Sequence, residues 1–348
     1  LLKSHQRRII FLWTFRDKRQ FDSVRRGASW QLFLKARMSL LSPLQISFST
    51  LACPDWSWPE ILRHGPEFGY QGVEVRLLER DTDLLQRPEF QPDQLALRRA
   101  ELAAADFQVV GLGSSVRFDY PEEQTRQEQV RIGRRYIDLA HQLHSKFVRV
   151  FGDVFTAGHD AQQREQVLSQ IVEGLSDLGH YAEPLGVLVL METHGDFADS
   201  TWMQTVMERV AHPAVGVLWD THHPWRFYNE PLSETFNRLS PWIRHTHWKD
   251  SRSHAAEPLT PDAAMAAAQA HSLMSGHKAA HYVLFGEGEF PAKETLRLLD
   301  AAGYDGWHSL EWELAWHPEL AQPEIALPDF PTKLVALAEA VRNERADR

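Results

Sequence analysis

The chain has one cysteine, Cys53, among 348 residues, which excludes an internal disulfide and a cysteine-built zinc site. A reducing, cytoplasmic setting is therefore the default expectation. Residues 9–15 form an apolar run that Arg16 closes at once, too short to span a bilayer. No Gly-rich phosphate loop is present, and no Pro/Ser/Gly run splits the chain into domains. Positive charge is scarce outside the first residues. Residues 1–37 hold ten Lys/Arg against two Asp/Glu, a balance of +8, so the rest of the chain carries −10 − 8 = −18. An acidic body is a poor platform for phosphate backbones, so nucleic acid and membrane surfaces are not expected partners.

What is present fits a single globular domain. The apolar fraction of 43% and charged fraction of 24% are those of an ordinary globular protein. The basic stretch before the first methionine, Met38, reads as an N-terminal extension over 1–40 outside the fold, with the domain proper over 41–345. From residue 45 onward, short β-branched runs alternate with longer amphipathic stretches, the pattern of βα units around a parallel sheet. Eight strands are predicted at 45–50, 72–77, 107–112, 147–151, 186–191, 215–219, 243–248 and 307–310. Helices are predicted at 59–68, 92–105, 122–143, 162–183, 202–210, 231–239, 291–302 and 330–343. The expected fold class is α/β, a (β/α)8 TIM barrel. Two turns, Phe68-Gly69-Tyr70-Gln71-Gly72 and Ala302-Gly303-Tyr304-Asp305-Gly306, are near copies that end a helix at glycine and enter a strand. Residues 251–285 break the rhythm with an alanine-rich helical segment at 261–271 and a strand-like run at 281–285. They read as an insertion after strand seven that forms a lid or rim.

Barrel enzymes carry their reactive groups at the C-terminal ends of the strands. Strand two offers Glu74 and Arg76, and strand three is followed by Gly113-Ser114-Ser115. Strand five ends in Glu192-Thr193-His194-Gly195, and strand six in Asp220-Thr221-His222-His223-Pro224-Trp225. Strand seven carries His245-Thr246-His247-Trp248-Lys249-Asp250, and strand eight ends in Glu311-Trp312-Glu313. Glu192, Asp220 and His247 recur at about one βα unit, which places them side by side on one rim. With a carboxylate from strand eight they form an O,O,N,O ligand set, suited to one divalent Mn2+, Mg2+ or Co2+ ion; Zn2+ also accepts such donors. Of His245 and His247, only one is expected to face the centre. Asp220 alone also reads as the cap of the following turn.

These residues, from about 45 to 313, resemble the xylose isomerase-like barrels, especially the sugar phosphate isomerase/epimerase group. The resemblance is carried by Gly69 to Glu74, Glu192-Thr193-His194, Asp220 to His223, His247 to Asp250, Gly286-Glu287-Gly288 and Leu310 to Glu313. It implies a metal held by Glu192, Asp220, His247 and Glu311, with Glu192 and Glu311 also exchanging a proton beside a carbonyl through an enediolate. His223, Lys249 and Arg252 are then expected on substrate hydroxyls or oxyanions, with His194, Trp225 and Trp248 lining the pocket. The implied activity is a sugar isomerase or epimerase acting on a small polyhydroxylated substrate, a sugar or an inosose, in a homo-oligomer. The alternatives are an inosose-type dehydratase, an endonuclease IV-like hydrolase with three metals, and a non-catalytic sugar-binding barrel. The chain departs from the ketohexose epimerases at one place: where they carry a glutamate six residues after the strand-five ligand, it has Ala198.

Overall fold

The computed structural model describes residues 44–155, 158–253 and 280–346. The expected extension over 1–40 and the helical segment at 261–271 lie outside the described residues. Among the described residues no helix is long and apolar enough to cross a membrane.

Eight parallel strands close into a ring. They are β1 (Gln45–Ser49), β2 (Gly72–Val75), β3 (Gln108–Arg117), β4 (Phe147–Phe151), β5 (Leu188–Glu192), β6 (Val215–Asp220), β7 (Ile243–Trp248) and, after two short strands, β10 (Trp307–Leu310). The order around the ring is β1-β10-β7-β6-β5-β4-β3-β2, so each strand lies beside its neighbour in sequence and β10 closes onto β1. β6 reads Val-Gly-Val-Leu-Trp-Asp and is buried at every position, as a strand covered on both faces must be. The ring is that of a (β/α)8 TIM barrel. The strand-like run at 281–285 is not a ninth barrel strand. Residues β9 (His281–Val283) pair antiparallel with β8 (Asp250–Arg252), a two-stranded sheet built from the insertion after β7.

The helices that face the strands are α1 (Trp58–Glu67), α2 (Leu95–Ala104), α3 (Glu123–Leu143), α4 (Ala161–Ala182), α5 (Ser200–Val210), α6 (His223–Tyr228), α7 (Leu232–Leu239), α8 (Ala292–Ala301) and α9 (Pro323–Ala346). Their starts are set by local chemistry. Ser57 and Glu60 form a capping box on α1, and Asp160 and Gln163 form one on α4, each satisfying amide donors the first turn leaves open. The paired turns seen in sequence end alike. Gly69 (φ 95°) and Gly303 (φ 71°) take the left-handed conformation, and the following Tyr70 and Tyr304 amides reach back to Gly65 and Leu299, closing a Schellman motif.

Two helices differ from expectation. Residues 223–228, read as loop, form α6, with Pro224 in its first turn and the preceding amides capped by Asp220. α9 begins seven residues early, at Pro323, because it runs through Pro328 and Pro331, residues that ordinarily end a helix. Pro331 cannot donate to the carbonyl four residues back, Leu327, and the buried Tyr70 hydroxyl donates to that oxygen instead at 2.7 Å. A tertiary contact thus replaces the lost helical bond. Sequence alone could not supply that partner.

Candidate metal centre

The ring brings the four expected ligand residues to one point. Glu192 is the last residue of β5, Asp220 the last of β6, His247 the fifth of β7, and Glu311 follows β10. All four are buried, and their candidate ligand atoms lie within 4.8 Å of one another. Two ligands on opposite sides of an ion at ~2.1 Å stand about 4.2 Å apart, so one ion reaches all four after small side-chain shifts. His247 Nδ1 sits 3.2 Å from Glu311 Oε2 and 3.5 Å from Glu192 Oε1. Two of the inward-facing atoms, Asp220 Oδ2 and His247 Nδ1, have no partner in hydrogen-bond geometry. Lys249 Nζ stands 3.0 Å from Asp220 Oδ2, but buried polar atoms are rarely left without a well-formed bond, and a divalent cation between the two would satisfy both. The donor set fits a hard divalent ion.

Each ligand is oriented by what surrounds it. Asp220 Oδ1 accepts the amides of His222 and His223 at 2.9 Å each, so the carboxylate caps α6 with one oxygen and turns Oδ2 to the cluster. One oxygen thus serves the cap while the other faces the cluster. Asp220 has its pKa raised to about 6, first by burial, then by Glu311 and Glu192, with Lys249 opposing. His247 Nε2 meets Glu74 Oε2 at 2.8 Å. A carboxylate there holds a proton on Nε2 and orients the ring so that Nδ1 faces the ligand cluster. The same Glu74 oxygen lies 3.1 Å from His245 Nε2, so both histidines of β7 point into the barrel. The expectation that only one does is corrected, because residues two apart share one face of a strand.

Lys249 closes the cluster from above. Its buried ammonium donates to Glu311 Oε2 at 2.5 Å and Glu313 Oε1 at 2.6 Å, and lies 3.0 Å from Asp220 Oδ2 and 3.2 Å from His223 Nε2. Burial would lower its pKa, but Asp220, Glu311 and Glu313 outweigh that and hold it well above the usual lysine value. Burial would likewise raise Glu311, yet His247 and Lys249 keep it well below the carboxylate range. His223 is pushed well below the ordinary histidine value, by burial and then by Lys249. A neutral imidazole follows. Its Nδ1 lies 3.0 Å from the Thr193 carbonyl and must be the donor there, leaving Nε2 as acceptor toward Lys249.

The family model described as "Xylose isomerase-like TIM barrel" matches residues 63–327. The chain belongs to that family. It is 28% identical over 272 residues to an inosose dehydratase of Geobacillus thermodenitrificans, covering 74% of this chain and 83% of that protein. It is 25% identical over 211 residues to a 3-dehydroshikimate dehydratase of Bacillus anthracis, covering 58% and 71%. Among solved structures, the IOLI protein with a bound zinc atom superposes with a TM-score of 0.66 at 17% identity, covering 86% of this chain and 99% of that one.

Within this xylose isomerase-like barrel the remaining sequence-predicted residues separate. His194 stands edge-on to His223, its Nδ1 3.2 Å from Asp153 Oδ1, and Arg117 donates to the other Asp153 oxygen, Oδ2, at 2.5 Å. Trp225 is half-buried, under the Arg226 guanidinium and edge-on to Phe290. Arg252 is exposed, and its guanidinium donates to the Glu287 carbonyl just after the insertion, so it is not among the residues brought together. Trp248 is fully buried but faces away from the centre: it packs on Phe285, Phe290 and His308 and donates to Thr246. Position 248 alternates with the inward His247, which removes it from the pocket. Asp250 accepts the amides of Gly286, Gly288 and Phe290, which explains why a Gly-Glu-Gly stretch follows the insertion.

Sequence reading missed three participants: the orienting role of Glu74, the Asp153 behind His194, and Arg149, whose Nε lies 3.4 Å from Glu192 Oε2. Glu74 had a signal, an acid within a strand buried at every position; Asp153 and Arg149 had none beyond lying on or after β4. The Glu74 contact makes a prediction. Glu74→Gln should weaken Mn2+ binding about 10- to 100-fold, the usual effect of removing such a supporting carboxylate. Calorimetric titration of the metal-free protein reads it, and an unchanged affinity would remove Glu74 from the site.

Proposed function

We propose that the chain is a divalent-metal-dependent dehydratase, a lyase that removes water from a small polyhydroxylated cyclic ketone. The observation that carries this reading is the cluster of Glu192, Asp220, His247 and Glu311 with the His194–Asp153 pair at its edge. The names of the dehydratase relatives favour it over the isomerase or epimerase reading. So does the place where the ketohexose epimerases carry a further glutamate. Ala198 is fully buried there, Asp196 accepts the Phe155 amide and the Tyr228 hydroxyl, and Asp199 caps α5. Among the described residues of that stretch, then, neither aspartate is left unengaged to take the place of that glutamate.

Elimination beside a ketone needs a base for the α-proton, stabilisation of the resulting enolate, and an acid for the departing hydroxyl. A divalent ion held by the four ligands supplies Lewis-acid polarisation of a carbonyl. Glu311 acts in this reading as a ligand, since a carboxyl held so low is a weak base, and Glu192 is a ligand beside it. Asp153 orients His194 so that Nδ1–H is the donor and Nε2 keeps its lone pair. Burial lowers the His194 pKa, but Asp153 more than offsets it, which makes the imidazole a stronger base. His194 accepts the α-proton. Lys249, charged among its carboxylates, hydrogen-bonds the departing hydroxyl, the proton taken by His194 passes to that oxygen, and the products are an unsaturated ketone and water.

The test is to load the protein with Mn2+, add an inosose or 3-dehydroshikimate, and follow the ultraviolet absorbance of the conjugated product. Growth of that absorbance supports the assignment. Exchange of the α-proton for solvent deuterium, with an epimer or isomer formed and no water lost, would return the chain to the isomerase and epimerase reading.

A further inference from the structure

The half of the ring without ligands carries an unusual feature. Arg76 follows β2, and Arg149 lies in β4; they are 8% and 2% exposed. The two side chains meet over Gly113 of β3. A Cβ added there would stand 2.9 Å from Arg76 Cδ and 3.1 Å from Arg149 Nη2, so a larger residue would press on both. Arg76 donates one bond through Nη2, to Ser115 Oγ at 2.9 Å, while its Nη1 has no acceptor. Arg149 lies over the Phe151 ring at 3.8 Å, and its Nε and Nη1 have no acceptor in hydrogen-bond geometry. Its one ion pair, with Glu192, is 3.4 Å long, and Glu192 is directed to the metal cluster.

Two buried like charges repel, and each unmet donor adds a desolvation cost. The repulsion is visible in Arg76, whose pKa is pushed down to about 10, first by burial and then by Arg149. Such a pair persists where an anion completes it, and planar guanidinium forks match a carboxylate in two-point contact. Neutral hydroxyls, which are donors as well as acceptors, leave that charge unmatched. A further arginine, Arg117 at the end of β3, already holds Asp153 and sits against Asp119.

We propose that Arg76 and Arg149 are the carboxylate-recognition site of this barrel, and that its substrate is a ring ketone bearing a carboxylate, not a neutral inosose. The proposal rests on the dehydratase reading for the word ketone, and on the arginine pair alone for the carboxylate. It distinguishes between the two kinds of relative named above.

The test uses Mn2+-loaded protein and calorimetry with shikimate, a hydroxylated ring carboxylate, against its neutral methyl ester, with inorganic phosphate as a third arm. Wild type should bind the acid at least about tenfold more tightly than the ester, the discrimination expected of charged hydrogen bonds. Arg76→Met should bring that ratio toward one, and Arg76→Lys, which keeps the charge without the fork, should fall between. Thermal melting and Mn2+ affinity of each variant verify that the fold and metal centre stand. Equal binding of acid and ester overturns the proposal, as does failure of both to bind, or a preference that survives in folded Arg76→Met. Arginine-dependent binding of phosphate without binding of shikimate overturns the carboxylate assignment. If the acid is preferred but no ring ketone loses water, the dehydratase reading fails and the anion site stands; if an inosose is dehydrated while acid and ester bind alike, the reverse holds.

Discussion

Glu192→Gln is expected to lower kcat by about three orders of magnitude, with the fold intact. The side chain keeps its size and one oxygen but loses the charge that faces both His247 and Arg149. A bound ion's stabilisation of developing negative charge is worth several kcal/mol, and about 4 kcal/mol corresponds to roughly a thousandfold in rate. The variant should also need far more Mn2+ for half-saturation. Chelation of wild type should reproduce the loss, and one equivalent of Mn2+ per chain should reverse it. Steady-state kinetics across a metal titration check both. Full activity in metal-saturated Glu192→Gln would remove the ligand role, and reconstitution that needs three ions per chain would favour the hydrolase alternative. The described residues provide the four-ligand set once. Of the other two groupings of metal-type residues, Glu74 Oε2 already serves both β7 histidines, and Asp220 Oδ1 serves two amides.

The second large effect is on stability. Lys249→Met should destabilise the metal-free protein by about 3–5 kcal/mol, the usual cost of removing one partner from a buried ion pair. The ammonium is within 3.0 Å of carboxylate oxygens on Asp220, Glu311 and Glu313. Without it those three negative groups lie together with only His247 and the more distant arginines to offset them. A divalent ion replaces two charges at the same place, so Mn2+ should raise the melting temperature of the variant by more than that of wild type. Denaturant unfolding with and without Mn2+ measures this. A variant as stable as wild type without metal would show that Lys249 is not the charge that holds these carboxylates together. Turnover should fall as well, because the donor to the leaving oxygen is gone; Lys249→Arg, which keeps the charge, should recover stability ahead of activity.

Much of this barrel is written in local pattern. β4, β7 and β10 occupy the residues expected of them, since apolar β-branched runs bounded by turn residues carry both period and limits within a few positions. The spacing from Glu192 to Asp220 to His247 was legible for the same reason. A βα unit has a nearly fixed length, so equal steps along the chain become neighbouring positions on a rim. Other features depended on partners far away in sequence. β3 runs on to Arg117, well past the predicted end at 112, because its pairing with β4 resumes after a break, although Gly113-Ser114-Ser115 reads as loop. α9 passes through two prolines because Tyr70 meets a freed carbonyl.

The sequence by itself determined the ring, its eight strands and the four side chains that share its centre, because periodicity and unit length are properties of short stretches. Only the tertiary structure decided which atoms of those side chains face one another. It set Glu74 behind His247 from 173 residues away, Asp153 behind His194, Lys249 among carboxylates, and two arginines together over a glycine. Such pairings are made by closure of the ring, which joins strands with no local relation. A hydrogen bond or an ion pair depends on distances of a few ångströms, and no repeat in the chain encodes them.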